Sequence, residues 1–298
     1  MKQVFSDCLN KGSVFILYEI IGVLFYMTCK LADQIEKSDL IIIGIGNEWN
    51  WVKNGLKNDD RYKELIKYSS MEGNQWFLPV IEYEYAYYNS DERIENAYKG
   101  LRKLIGDKKY FLVSDLCLQD ALFYGFDPEK SVYPCGNYMF LQDAQGDGEL
   151  YSAEKCEEFF SLVKKVHEIV ESDEVLLSED MSFSKPVVNG KELYLNQKRQ
   201  EYSDIKYNES FYLGNWDIYK KYLTRTLNSN LLVLELGVGL EYPTVVRWPF
   251  EKVTFINKKA RLIRVHERLY QHIPEIEDKT DSVKMNSVNY IIQESNGL

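Results

Sequence analysis

Three short and almost entirely apolar runs are what most constrain the fold of this chain. They read "LIIIGIG" (residues 40 to 46), "KYFLVS" (109 to 114) and "LLVLELG" (231 to 237). An unbroken apolar run of this length is typical of a strand that is buried on both faces, as in parallel sheets. Helical patterns such as "YSAEKCEEFFSLVKKVHEIVES" and "NWDIYKKYLTRTL" separate the runs. The alternation predicts an α/β fold, a Rossmann-like parallel sheet with helices on both faces.

Two segments that follow the third run, "KVTFIN" (252 to 257) and "ARLIRV" (260 to 265), are predicted as further strands of the same sheet. Residues 135 to 210 differ from this pattern, since they are polar and rich in turn residues, with Asn189-Gly190 as a hairpin signal. We therefore predict a Rossmann-like domain formed by residues 28–134 and 211–298. Residues 135–210 are predicted to form a small inserted domain.

Residues 1–27 are predicted to be an N-terminal extension. Their apolar stretch "SVFILYEIIGVLFYMT" contains Glu19 and falls short of the ~20 residues that span a bilayer. The following "MTCKLADQ" offers no small-residue cleavage site for a signal peptidase. We expect no membrane partner, and we interpret Met27 as the true start of translation.

Charge and cysteine usage exclude several classes of protein. The net charge of −10 argues against a nucleic-acid partner, because such proteins usually carry a positive surface. The five cysteines are scattered and form no CxxC pair, which is typical of a reducing compartment and predicts a cytoplasmic protein. The three histidines are too few and too scattered for a histidine metal site.

Two Gly-x-Gly turns follow predicted strands, at Gly44 to Gly46 and at Gly237 to Gly239. The second, "VLELGVG", fits the first motif of S-adenosylmethionine methyltransferases, but too little chain remains after it for the strands of that fold. The first lacks the third glycine of a dinucleotide fingerprint, and Glu48 would repel a pyrophosphate at a helix N-terminus. Two such turns on one parallel sheet can line one crevice at the carboxyl ends of its strands. Together they predict a nucleotide cradle.

The order of these segments resembles the sirtuin family over nearly the whole chain after Met27. The similarity is carried by "LELGVGLEYPTVVRWPFEKVTFINKKARLIRV", by "SDLIIIGIG" and by "FLVSDLCLQDALFYGFDPEKSVYPCG". The resemblance implies the family's NAD-binding fold, NAD as cofactor, and protein deacylation or mono-ADP-ribosylation with release of nicotinamide. It is closest to a bacterial branch without the catalytic histidine, whose members are linked with ADP-ribosylation of a lipoylated carrier protein. An acylated or lipoylated protein is therefore the implied partner.

The resemblance also implies site residues. Asp115 stands for the family asparagine that holds the nicotinamide ribose, keeping an acceptor and losing the amide donor. Cys117 stands for an aspartate, and Cys135, followed by Gly136, stands for the catalytic histidine. Asp115 and Cys135 are thus the catalytic candidates. The implied cofactor-binding residues are Gly44, Gly46, Asn47, Asp115, Gly237, Val238, Gly239, Asn257 and Arg264.

The same substitutions weaken the case for catalysis. A thiol acts as a base near neutral pH only where a positive charge or a helix N-terminus favours its thiolate, and "SVYPCGNYMF" supplies neither.

The stretches that correspond to the family's zinc ribbon, "LQDAQGDG" and "SKPVVNGKE", contain no cysteine, so we expect neither zinc nor another metal. Two functions stay open: an NAD-cleaving enzyme, or a catalytically inactive module that senses a nucleotide or binds a protein.

The tyrosine-rich segment "WFLPVIEYEYAYYNSDER" has two interpretations. Tyr83, Tyr85 and Tyr87 alternate, whereas Phe77, Ile81 and Tyr88 share a helical face, so periodicity does not decide its structure. Core packing is the expected role. The functional alternative is the wall of an acyl or peptide channel beside Cys135.

Overall fold

The computed structural model describes residues 30–172, 182–200, 202 and 204–297. The predicted extension 1–27 and the interpretation of Met27 as the start of translation therefore concern residues outside the described part. The strands are β1 (Leu40–Ile45), β2 (Lys109–Ser114), β3 (Ser131–Val132), β4 (Gly136–Asp143), β5 (Tyr151–Ser152), β6 (Val187–Val188), β7 (Lys191–Gln197), β8 (Leu231–Leu236), β9 (Arg261–Val265) and β10 (Thr280–Val283).

The α-helices are α1 (Lys30–Lys37), α2 (Trp51–Asn58), α3 (Lys63–Ser69), α4 (Leu78–Tyr88), α5 (Glu92–Ile105), α6 (Asp120–Phe123), α7 (Glu157–Val170), α8 (Ser210–Thr226), α9 (Arg247–Ile256) and α10 (Ser287–Asn296). Short 3-10 helices lie between them, for example at Asn47–Trp49 directly after β1. None of the helices in the described part is both long and apolar enough to cross a membrane.

Six strands form a parallel sheet in the order β10-β9-β8-β1-β2-β3. The three apolar runs are its central strands, and Leu40 of β1 lies opposite Lys109 of β2 and Leu231 of β8. After β1 the chain builds the β2 side of the sheet first and returns to build the β8 side later. The predicted parallel sheet is confirmed, and its topological switch point lies between β1 and β8.

Helices cover both faces of this sheet, as predicted. Ile41, Ile43 and Ile45 of β1 lie on one face, in an apolar cluster that includes residues of α5 and α10. Ile42 lies on the other face, in a cluster that includes Tyr219 of α8 and residues of α9. Successive residues of a strand point to opposite faces, so an unbroken apolar run is what two buried faces require.

The strand predicted over residues 252–257 is wrong, because these residues form the end of α9 and the residue that follows it. The buried residues Phe250 and Thr254 are one helical turn apart, and the Thr254 hydroxyl donates to the Phe250 carbonyl over 2.7 Å. That spacing is the helical period, and the β-branched residues of "KVTFI" masked it in the sequence. The strand predicted over 260–265 is confirmed as β9.

A second, antiparallel sheet with the order β5-β4-β7-β6 comes from the chain between β3 and β8. Asn189 and Gly190 join β6 to β7 with positive φ angles of 53° and 76°, as the hairpin signal predicted. This sheet is the small insert of the predicted fold class. The predicted residue limits of the domains, 28–134 with 211–298 and 135–210, stay a prediction.

Candidate functional site

The two Gly-x-Gly turns meet at the switch point, where β1 and β8 end. The Gly46 amide donates to the Leu236 carbonyl over 3.0 Å. A methyl group at Gly46 would lie 2.5 Å from Cα of Val238, and one at Gly239 would lie 2.5 Å from the side-chain amide nitrogen of Asn47. Glycine is therefore required at position 46, where the obstacle is backbone, whereas a side chain at position 239 would displace the Asn47 amide. The structure brings together five predicted cofactor-binding residues: Gly46, Asn47, Gly237, Val238 and Gly239.

Glu48, next to these turns, accepts hydrogen bonds from two backbone amides. Its carboxylate accepts from the amide of Glu267, beyond the end of β9, over 2.8 Å, and from the amide of Ser287, the first residue of α10, over 2.6 Å. Gly237 has a φ of +64°, and a methyl group there would lie 2.6 Å from Glu48 Cβ. An internal carboxylate thus fills the N-terminus of α10, a position that would otherwise favour an external anion.

A small cavity of about 40 Å³ lies beside the turns. Loops after β1, β2, β8 and β7 contribute to it, together with α2 and α4. Its lining consists of Asn47, Asn50, Lys53, Glu82, Asp115, Leu116, Cys117, Leu118, Tyr138, Lys198, Arg199, Glu241 and Tyr242. The cavity is strongly polar, and its walls carry three cationic and three acidic side chains.

Asp115 directly follows β2, and its amide donates to the Ile45 carbonyl over 3.2 Å. Asp115 is 6% exposed, and neither carboxyl oxygen has a hydrogen-bond partner among the described residues. Burial, followed by repulsion from Glu241, raises the pKa of Asp115 to about 8. A buried and unpaired carboxyl is costly to the fold and is typical of a site that awaits a ligand.

Glu82 is the opposite case within the same cavity. Arg199 donates to both of its carboxylate oxygens, over 2.6 Å and 3.0 Å, and the Tyr138 hydroxyl donates over 3.1 Å. Burial would raise the pKa of Glu82, but the Arg199 guanidinium holds it below its ordinary value. This bidentate pair also joins α4 to the chain that leaves β7 of the insert.

Cys135 is 1% exposed and packs in the apolar cluster that contains Val238 and Phe250. Burial, with a smaller contribution from Asp115, raises the pKa of the Cys135 thiol far above its ordinary value. Cys117 lines the cavity and donates to the Cys135 carbonyl over 3.4 Å, and burial raises its pKa to about 12. Both thiols stay protonated at neutral pH, which is unfavourable for the base role considered for Cys135.

Two other predicted cofactor residues lie where they serve packing. A methyl group at Gly44 would lie 2.3 Å from Val246, so this glycine lets α9 pack against β1. The Asn257 side chain donates to the carbonyls of Thr226 and Ser229, over 2.7 Å and 3.1 Å. These contacts place Asn257 at the amino ends of β8 and β9, the length of a strand away from the turns.

Arg264 lies in the middle of β9 and is fully buried. Its guanidinium donates to Glu235 and Glu251, over 2.9 Å in each case. Arg247, the first residue of α9, lies 3.4 Å from the same Glu235. The guanidinium of Arg264 is thus engaged within the protein, and a role in holding the cofactor stays a prediction for Arg264, Asn257 and Gly44.

A larger groove of about 710 Å³ adjoins the cavity and shares Cys117, Leu118 and Tyr138 with it. The rest of its lining is mainly apolar and aromatic: Trp51, Tyr83, Ala86, Tyr87, Gln119, Asp120, Leu122, Phe123, Met139, Phe140, Ser152, Glu154 and Lys155. Residues Leu78–Tyr88 of the tyrosine-rich segment form α4, which supplies Tyr83, Ala86 and Tyr87 to this lining. It borders the site beside Cys117 as well as packing in the core.

The sequence missed most of the charged lining. Lys53, Glu82, Lys198, Arg199 and Glu241 come from four separate segments and carry no shared spacing that a motif could capture. Two features of the sequence could have indicated these residues. Glu241 lies two residues after Gly239, and Lys198 and Arg199 lie just after the predicted hairpin. Each marks the end of a strand, where ligands bind in parallel sheets.

No known family model matches the chain. A curated protein of Staphylococcus aureus (strain Mu50) named "Protein ADP-ribosyltransferase" is 21% identical over 266 residues, which cover 84% of this chain and 81% of that protein. A solved structure described as "Structural Basis for the Mechanism and Regulation of Sir2 Enzymes" is 10% identical, with a TM-score of 0.48, over 91% of this chain and 96% of that one. Over most of its length the chain is therefore similar to a protein named for ADP-ribosyl transfer, one of the two activities that the resemblance to sirtuins implies.

Proposed function

We propose that this chain is a sirtuin-type protein that binds NAD at the switch point between β1 and β8. The observation that carries the proposal is the buried carboxyl of Asp115, which faces the polar cavity beside the two glycine turns without a partner among the described residues. The backbone of Gly46–Asn47 and of Gly237–Gly239 would hold the phosphates. Asp115 would hold a ribose hydroxyl.

The cavity as it stands is too small for NAD. About 40 Å³ is far below the roughly 300–1,000 Å³ of typical ligand pockets. Two contacts join residues across its lining: the Tyr242 hydroxyl donates to the Lys198 carbonyl, and Lys53 lies 3.9 Å from Glu241. Both involve the loop after β8, so binding of NAD would require this loop to move away from α2 and from the chain that follows β7.

The aromatic groove would hold an acceptor. It borders the cavity at Cys117 and Tyr138, and its apolar lining suits the side chain of an acylated or lipoylated protein. In an ADP-ribosyl or acyl transfer, nicotinamide leaves the ribose carbon and an acceptor oxygen or nitrogen replaces it. The name of the Staphylococcus aureus relative supports this reaction class.

A second function, nucleotide binding without turnover, is favoured by the surroundings of Cys135. Its thiol lies in an apolar cluster and outside the described lining of the cavity, and burial raises its pKa. A site without a working base would bind NAD and release no nicotinamide. The chain would then act as a sensor or as a pseudoenzyme.

Calorimetric titration of the full chain with NAD, together with assay of free nicotinamide in the same samples, separates these functions. S-adenosylmethionine serves as the control ligand. Binding of NAD with nicotinamide release supports the enzyme, and binding without release supports the sensor. No heat at millimolar NAD, or preferential binding of S-adenosylmethionine, would refute NAD as the ligand.

A further inference from the structure

The protonation state of Asp115 follows from the groups that surround it. Glu241 approaches from the loop after β8, Glu235 from β8 itself, and Cys135 from the loop after β3. Lys53 on α2 is the cation among these groups, and it lies 3.9 Å from Glu241. Asp115 therefore lies in a buried position where Glu241 and Glu235 oppose its ionisation and the cation Lys53 is shared with Glu241.

A comparison inside the same cavity shows what an ionised carboxyl requires. Glu82 is equally buried, yet it has a bidentate guanidinium and a tyrosine hydroxyl as donors. Asp115 has no donor to either oxygen among the described residues. A buried carboxylate without donors is far less favourable than the neutral acid, which has one hydroxyl donor and a carbonyl acceptor.

We propose that Asp115 meets its ligand as a neutral carboxylic acid that donates a hydrogen bond, so that this part of the cavity selects a neutral oxygen acceptor. Sugar hydroxyls and amide carbonyls belong to this class, and anionic oxygens would face Glu241 as well. The inference deepens the proposed function, on which the identity of the ligand rests. A protonated Asp115 also restores the hydrogen-bond donor that is lost when an aspartate stands in place of the family asparagine.

The protonation state of Asp115 can be measured in the absence of any nucleotide. The side-chain carboxyl ¹³C signal of the full chain, assigned by its absence from the Asp115→Asn spectrum, is followed from about pH 5 to about pH 10. We expect a midpoint near 8, as burial and Glu241 dictate. We also expect Glu241→Gln to lower that midpoint. An Asp115 signal that is already ionised throughout this range overturns the inference.

The donor role is measured by NAD affinity as a function of pH. Above the midpoint the affinity of the wild type is expected to fall about tenfold per pH unit, because only the protonated form donates. Asp115→Asn replaces the acid by an amide that cannot ionise, so its affinity becomes independent of pH. The matched control is Asp217→Asn, which removes an exposed aspartate on α8 and keeps the wild-type profile.

The two experiments have distinguishable failures. If NAD does not bind at any pH, the proposed function fails and the carboxyl titration still decides the state of Asp115. If Asp115 titrates near 8 but NAD affinity is flat across the midpoint, the donor role is overturned and NAD binding stands.

Discussion

At the scale of single residues, the cavity contains two buried carboxyls that differ in their hydrogen-bond partners. Glu82 is neutralised by Arg199, and Asp115 is left without a donor among the described residues. The first arrangement contributes to the fold, and the second stabilises nothing until a ligand arrives. This contrast distinguishes a structural pair from a binding residue at one site.

The pH dependence of stability follows from Asp115. Its pKa is raised in the folded state, so between about pH 4 and pH 8 the unfolded chain releases a proton that the folded chain retains. The contribution of Asp115 to the unfolding free energy therefore falls as pH rises through this window, on the order of 1 kcal/mol per pH unit. Denaturant unfolding at several pH values should give a flatter profile for Asp115→Asn. An identical slope in wild type and variant contradicts the assignment.

Replacing Arg199 should destabilise the fold, because the buried charge of Glu82 loses its partner. Arg199→Met leaves that carboxylate unpaired, and we expect a loss of about 3–5 kcal/mol in unfolding free energy. Adding Glu82→Gln to this variant should recover part of the loss, because the uncompensated charge disappears. A double variant that is as unstable as the sum of the two single changes would show that the pair is not coupled.

At the scale of elements, the site depends on how closely helices and turns approach β1. Much of this arrangement was predictable: buried strands, their parallel order and the two glycine turns all follow from local sequence. The end of α9 was not, because the β-branched residues of "KVTFI" fit a strand locally and only tertiary packing makes them helical. The charged lining was also not predictable, because its members lie on separate segments that meet only in the tertiary structure.

Packing of α9 on β1 should make Gly44 intolerant of a side chain. Gly44→Ala places a methyl group 2.3 Å from Val246, and overpacking of this kind costs about 1–3 kcal/mol. The matched control is Gly214→Ala in α8, where no described atom lies within 4 Å of the new methyl group. That change should stabilise the helix by up to about 1 kcal/mol. Equal effects of the two changes on thermal unfolding would contradict this packing role.

The loop after β8 is expected to control entry to the cavity. Tyr242→Phe removes the hydroxyl that donates to the Lys198 carbonyl and keeps the ring in place. We expect tighter NAD binding, by severalfold, since loss of one hydrogen bond makes opening of the loop easier by about 1 kcal/mol. Weaker binding would show instead that the closed contact forms part of the bound state.

At the scale of the whole molecule, the insert and the parallel sheet meet at the cavity. The insert supplies Tyr138, Lys198 and Arg199 to its lining, and the sheet supplies the glycine turns and Asp115. A ligand that binds there should stabilise both parts at once. The polar, turn-rich composition of residues 135–210 predicted the insert. Which charged residues the insert contributes to the site depends on tertiary structure.

The central claim is that a nucleotide binds where β1 and β8 end. Hydrogen–deuterium exchange of the full chain, with and without NAD, tests its location directly. We predict increased protection of the backbone amides of residues 44–50, 115–118 and 236–242, together with the end of β7. Protection confined to other segments, or an unchanged exchange pattern at saturating NAD, would contradict the account.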